Sequence, residues 1–180
     1  EKPAPYSKDN WLPAIEIHGE GIFLNFNEKT LSDWEEKDPI VNRIAALNDR
    51  ANATKLFDQS KIPIIPRSVL IHTFSHILIK ELVYECGYSA SALNERLYIS
   101  NDSEKPMGGI LIYTGQAGSD GTLGGLSRMS EKNKITETIK RAIEKSIWCA
   151  SDPICMEIGT EQGQGYYNMN NAACHHCTLI

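Results

Sequence analysis

The chain has 180 residues, 41% of them hydrophobic, and carries a formal net charge of −5. This length can bury a real core, and no apolar run approaches the roughly 20 residues of a membrane span. The acidic balance argues against a broad basic surface, so any contact with nucleic acid must be local or shared with a partner. We therefore expect a soluble, cytoplasmic protein with no membrane partner.

The N-terminal region predicts a lead-in followed by the start of one domain. Residues 1–13 are rich in proline and predict an extended or frayed segment, whereas residues 14–180 predict a single domain. Apolar residues in 15–18 and 22–26, separated by a Gly-Glu-Gly turn, predict two short strands. Because the chain begins at Glu1 and not at methionine, we expect a piece of a larger polypeptide.

A helix is expected next. Either Thr30 or Ser32 is placed to cap it, and Glu35 would complete a capping box with Ser32. The helix would run towards Leu47, and the polar residues 48–61 predict a further helix or a loop.

Residues 67–86 predict the strongest helix of the chain. Pro66 precedes it and Gly87 follows it, which are typical start and stop signals. A helix that is apolar around most of its circumference belongs in the middle of a domain. Its apolar residues are Val69, Leu70, Ile71, Phe74, Ile77, Leu78, Ile79, Leu82 and Val83.

The same helix carries two histidines, His72 and His76, which lie four residues apart and so share a face. This is the histidine spacing of HExxH zinc hydrolases, but Thr73 stands where the general-base glutamate would be. The simpler interpretation is that both imidazoles hydrogen-bond neighbouring backbone or a carboxylate. A metal-dependent hydrolase would need a third ligand, for which His18 and Asp120 are the candidates.

The middle of the chain predicts a short helix, two strands and a glycine-rich loop. The helix is expected over 90–96, and the strands over 97–100 and 110–113. Residues 115–125 contain many glycines before a helix, a composition that can cradle phosphate with backbone N–H groups. The segment matches no nucleotide-binding motif, so a tight structural loop is the expectation.

Residues 131–147 predict an amphipathic helix. Lys134, Arg141 and Lys145 align along one side of it, a row that suits contact with a nucleic-acid backbone. A solvated helix face is the alternative interpretation of the same row.

The C-terminal cysteines carry the clearest chemistry. Two pairs with spacings C-x5-C and C-x2-C predict one structural zinc ion held by four thiolates. His175 or His176 could replace one thiolate, and a disulfide framework would leave Cys86 over as the fifth cysteine. The expected ligands are Cys149, Cys155, Cys174 and Cys177.

The order of these segments resembles the MrfA-type zinc-binding (MZB) domain, and in particular the DrmB-type helicase-associated proteins of DISARM anti-phage systems. The resemblance implies the four-cysteine zinc site, an α+β fold and a bacterial, nucleic-acid-associated module. The C-x5-C spacing is longer than in simpler members of the family. The segments that carry the resemblance are 19–23, 70–76, 85–90, 121–126, 148–153 and 173–177.

We therefore expect an α+β fold with a central buried helix, short mixed strands and a C-terminal four-cysteine zinc knuckle. The resemblance implies a superfamily-two helicase subunit or domain as partner, with DNA as a further partner. Because no nucleotide-binding motif is present, we expect a non-enzymatic module without a small-molecule substrate. A scaffold that binds only protein is the third interpretation.

Overall fold

The computed structural model describes residues 16, 18–54, 64–89, 91–114 and 124–148. Within these residues the chain forms five helices and one three-stranded sheet, which confirms the α+β class. The elements in chain order are β1 (Gly21–Asn25), α1 (Glu28–Glu35), α2 (Asp38–Thr54), α3 (Pro66–Cys86), β2 (Leu93–Ser100), β3 (Met107–Thr114), α4 (Gly125–Met129) and α5 (Lys132–Ser146).

The sheet has the order β1-β3-β2, and both pairings are antiparallel. Mixed strands were expected; among the described strands this prediction is wrong, because the short 101–106 loop returns the chain directly as a hairpin. Alternate residues of the central strand β3 face the core. Ile110 and Ile112 are fully buried, and Ile110 pairs with Leu24 on one side and Leu97 on the other.

Helix α3 lies at the centre of the core, as its apolar circumference predicts. Ile71, Leu78 and Leu82 are inaccessible to solvent, and the helix contacts every other helix as well as strands β2 and β3. Pro66 occupies its first turn, where a missing N–H costs nothing. Gly87 ends it in the left-handed conformation, with φ of 71°, which a side chain would disfavour.

The expected helix from Thr30 or Ser32 to Leu47 is instead two helices, α1 and α2. Asn27 caps α1, because its side-chain oxygen accepts the N–H of Thr30 at 2.9 Å. No capping box forms between Ser32 and Glu35. The carboxylate of Glu35 is directed away to a long-range partner, which the local sequence could not reveal.

The predicted helix over 90–96 is also wrong, because β2 already begins at Leu93. Leu93, Glu95 and Leu97 alternate with more polar neighbours, a period of two that suits a strand with one buried face. At the N-terminus, Glu16 and His18 lie outside any strand. The predicted strand over 15–18 is therefore absent from the residues of it that the structure describes.

The buried guanidinium of Arg67 ties the first turn of α3 to α1 and to the sheet. Only 3% of Arg67 is exposed. Its Nε and Nη2 donate to the two oxygens of Glu35 at 2.9 and 2.6 Å, and Nη2 also donates to Glu28 at 2.8 Å. Nη1 donates to the carbonyl of Ser100 at 2.6 Å. The bidentate geometry is the strongest form of such a pair, so three elements meet at one charge.

Replacement of Arg67 by alanine would leave the largely buried Glu35 carboxylate without its cation. We expect the free energy of unfolding to fall by about 3 kcal/mol, the lower end for breaking a buried ion pair. Urea unfolding followed by circular dichroism measures the change. Lys140→Ala, which removes a positive charge from an exposed pair, is the control and should leave the unfolding midpoint unchanged. Equal stability of Arg67→Ala and the wild type would contradict this role.

Candidate metal centre

The four predicted zinc ligands, Cys149, Cys155, Cys174 and Cys177, lie outside the described residues, so this ligand set stays a prediction. The described chain approaches the first of them through α5. This helix was predicted over 131–147 and is found over Lys132–Ser146, which confirms it.

A different group of metal-ligating side chains does come together in the described part of the chain. His72 and His76 on α3 meet Glu95 on β2. The two Nε2 atoms are 2.9 Å apart, and Glu95 Oε1 lies 3.2 Å from His72 Nε2 and 3.6 Å from His76 Nε2. Three potential ligand atoms of two chemical types therefore converge on one point at the edge of the core.

The third member of this group is not one that the sequence indicated. His18 lies beside Glu16, with 3.4 Å between Nε2 and Oε1, and Asp120 is outside the described residues. Glu95 was missed because the expected helix over 90–96 gave it no defined direction. The alternation from Leu93 to Leu97 was the available signal, since it places Glu95 on the core-facing side of a strand.

The Glu95 carboxylate is oriented from below by a buried hydroxyl. Ser75 is inaccessible to solvent; its Oγ lies 2.7 Å from the carbonyl oxygen of His72 and also contacts Oε2 of Glu95, so its one proton can be donated to either oxygen. The other oxygen, Oε1, is thereby left facing the two imidazoles. The side chain of His72 is 49% exposed and that of His76 20%, so the group opens to solvent on the His72 side.

A second polar cluster lies at the described end of the glycine-rich segment. The carboxylate of Glu20 accepts the backbone N–H of Gly124, Leu126 and Ser127 at 2.9–3.1 Å, and it also accepts the hydroxyl of Tyr88. These are the free N–H groups at the start of α4, which attract an anion. The described part of the loop thus holds a carboxylate of its own chain in the position where a phosphate was considered.

These hydrogen bonds lower the pKa of the Glu20 carboxyl in the folded protein. Burial by itself would raise its pKa, but hydrogen bonds from the Tyr88 hydroxyl and from the N–H groups of Ser127 and Leu126 outweigh that effect. The pKa falls from 4.5 to about 2. Burial and the contact with Glu20 conversely raise the pKa of Tyr88 to about 12, so that the phenol remains the donor.

The predicted basic row on α5 takes part in ion pairs. Arg141 and Lys145 both contact Glu81 of α3, at 3.3 and 2.6 Å, and Glu81 is only 3% exposed. Arg141 also reaches Glu85 at 2.9 Å. Lys134 pairs with Glu131 on the solvent side at 3.0 Å. Two of the three cations therefore join α5 to α3, and the role of the row in nucleic-acid binding stays a prediction.

Cys86 forms no disulfide within the described residues. It is half-buried at the end of α3, and burial raises the pKa of its thiol. A protonated thiol packed against the core behaves as a small apolar side chain.

An α+β fold whose last described helix leads into a cysteine-rich segment fits a small zinc-binding module. A family model, the MrfA Zn-binding domain, matches residues 74–178, more than half of the chain, and the chain therefore belongs to this family. It is also 36% identical over 179 residues to the DISARM protein DrmB of Bacillus paralicheniformis. That match covers 96% of this chain and 30% of DrmB, so the chain spans under a third of this relative.

These comparisons confirm the resemblance expected from the sequence. Membership of the family makes zinc the metal of this protein. In the residues described, no helix combines the length and apolar character needed to cross a bilayer.

Glu20→Gln tests the anion cluster through its pH dependence. Because folding lowers the pKa of Glu20, its contribution to stability is complete above about pH 4.5 and is lost as the pH falls towards 2. We expect the wild type to lose about 1–2 kcal/mol more than Glu20→Gln over this interval, after allowance for solvent screening.

Urea unfolding at a series of pH values measures this difference. Glu104→Gln, in the exposed β2–β3 loop, is the matched control and should follow the wild type. Parallel pH profiles for the wild type and Glu20→Gln would exclude a stabilising role for the ionised carboxylate.

Proposed function

We propose that this chain is a non-enzymatic structural-zinc module of a helicase-associated protein, which supports DNA binding or complex assembly in bacterial phage defence or DNA processing. The observation that carries the proposal is the match to the MrfA Zn-binding domain over residues 74–178. Similarity to a protein named as a DISARM component supports the biological setting. The helicase partner implied by the family resemblance and the cytoplasmic location expected from the composition are part of the same proposal.

We propose Cys149, Cys155, Cys174 and Cys177 as the zinc ligands. Four thiolates complete a tetrahedron and leave no position for a reacting water, so this zinc ion would be structural. Its binding free energy would order the segment that follows α5, because such ligand sets are not preformed in an unfolded chain. This is the reason for expecting no catalytic role at the cysteine site.

The cysteine site is tested with Cys174→Ser. We expect this variant to lose about one zinc ion per chain, since three thiolates bind zinc far more weakly than four. Elemental mass spectrometry of the purified protein gives the metal content, and limited proteolysis reports the state of the C-terminal region. Cys86→Ser is the matched control, because it also removes one thiol but should keep the metal. Unchanged zinc content and unchanged protease resistance in Cys174→Ser would rule out Cys174 as a zinc ligand.

The row Lys134, Arg141 and Lys145 is the proposed contact with nucleic acid. Its position on α5, the helix that leads to Cys149, would place the charges beside the zinc-binding segment. Arg141 and Lys145 share the buried Glu81, so replacing either would strand a desolvated carboxylate and confuse loss of binding with loss of folding. Lys134, in an exposed pair, can be replaced without that complication.

Lys134→Ala is therefore expected to weaken DNA binding while leaving stability unchanged. One lost phosphate contact should reduce affinity roughly threefold to tenfold and lower the slope of log K against log salt by about 1. Fluorescence anisotropy with a short labelled DNA at several salt concentrations measures both. Lys140→Ala is a close control. Lys140 lies on the same helix and also pairs with a glutamate three residues earlier, but it projects from a different face.

Equal effects of the two lysine substitutions on DNA affinity would show that the row does not form the DNA contact. Absence of any salt-dependent binding by the wild type would favour the remaining alternative, a scaffold that binds a helicase and no DNA. Co-purification with the helicase subunit would then be the decisive measurement.

A further inference from the structure

We propose that His72, His76 and Glu95 form a second metal site, separate from the cysteine site, which takes a divalent transition-metal ion such as Zn²⁺. The three ligand atoms form a nearly equilateral triangle with sides of 2.9, 3.2 and 3.6 Å. The point equidistant from them lies roughly 1.9 Å from each, close to the bonds of about 2.0–2.2 Å that zinc makes to imidazole and carboxylate. An ion slightly above the plane reaches all three atoms.

A hydrogen-bonded triad without metal explains this triangle less well. Each Nε2 atom either donates one hydrogen bond or accepts one, and the carboxylate only accepts. If both imidazoles carry a proton on Nε2, the contact of 2.9 Å between these atoms brings two donors together. If only one carries it, that single proton cannot serve both the other nitrogen and Glu95 Oε1 with good geometry. A cation at the centre satisfies all three atoms at once.

The supporting structure has the features of a prepared metal site. His72 and His76 lie one turn apart on α3, whose opposite faces fill the core, so neither backbone position can shift. Glu95 is held on β2, and the hydroxyl of the buried Ser75 contacts its second oxygen. A partner that orients a ligating carboxylate in this way typically changes metal affinity by 10- to 100-fold.

The ligand set defines the class of ion. Two imidazoles and one carboxylate suit zinc, cobalt and ferrous iron, whereas magnesium and calcium prefer sites made of oxygen atoms alone. Three protein ligands leave a fourth position, and the exposure of His72 directs it to solvent. A water molecule or an anionic oxygen would fill it, unlike at a site closed by four thiolates.

A cobalt titration tests the site without any substitution. It uses wild-type chain given only one equivalent of zinc, which the four thiolates take first because soft ligands bind zinc most tightly. Cobalt bound to nitrogen and oxygen gives weak visible bands, whereas cobalt exchanged into a thiolate site adds intense charge-transfer absorption in the near ultraviolet. We expect one equivalent of the weak bands with no thiolate absorption. If excess cobalt produced neither the weak visible bands nor the thiolate absorption, or the thiolate absorption alone, the proposal would be overturned.

Substitutions then locate the ion. His72→Ala and Glu95→Gln should weaken cobalt binding at this site at least tenfold, and Ser75→Ala about tenfold. His18→Ala is the control, because it removes an exposed histidine from outside the cluster and should bind as the wild type does. Thermal unfolding in the presence of chelator checks that the His72 and Glu95 variants are folded.

Total metal content separates this site from the cysteine site. After loading with zinc and dialysis, we expect about two zinc ions per wild-type chain and about one in His72→Ala and in Cys174→Ser. One zinc in the wild type that is retained by His72→Ala would overturn the second site and leave the cysteine site standing. Two zinc ions in both Cys174→Ser and the wild type would instead contradict the assignment of the cysteine site and leave the histidine site unaffected.

Discussion

The structure depends on one constraint: helix α3 is apolar around most of its surface, and these apolar faces have to be covered. No single neighbour can do this, since a sheet or a helix buries only one face against it. The sheet therefore covers one side, while α1, α2, α4 and α5 contribute the remainder. Fully buried residues on the helix and on the central strand meet in the middle, among them Ile71, Leu78 and Ile110. Every functional feature of the described residues lies on α3 or on an element packed against it.

Charged side chains at the margins of this core hold the covering elements in place. Arg67 joins α3 to α1 and the sheet, and Glu81 joins α3 to α5 through two cations. Glu20 takes the free N–H groups at the start of α4. Each of these groups is costly to desolvate alone and is satisfied by several partners, so each favours one arrangement of its elements. This accounts for Arg67 and for the carboxylates of Glu20 and Glu81, which would otherwise suggest binding sites for external ligands.

Two kinds of metal chemistry are proposed for different parts of the chain. Membership of the MrfA Zn-binding family makes the protein a zinc binder. The four C-terminal cysteines are the proposed ligands of a closed structural site, because thiolates are soft ligands that suit zinc. The histidine and carboxylate group at the edge of α3 is harder and more open. Its ligands come from a helix and a strand that the core already orders, so this site needs no metal to assemble. The two sites would therefore respond differently to chelation, the first by loss of structure and the second by loss of the ion alone.

The sequence by itself determined what depends on neighbours along the chain: α3 and α5 from their periodicity, the Gly87 cap, the strands around Phe23 and Ile110, and the zinc-binding family from the order of its segments. It failed where a distant partner overrides local preference. The segment at Glu95 forms a strand because β3 pairs with it. The Glu35 carboxylate binds Arg67, 32 residues away, and does not form the local capping box expected with Ser32. Only the tertiary structure could decide that Glu95 joins His72 and His76, or that Glu20 accepts the N–H groups at the start of α4. Such contacts join residues that are far apart in the sequence. No local pattern relates these residues, because they meet only when the elements around α3 have packed together.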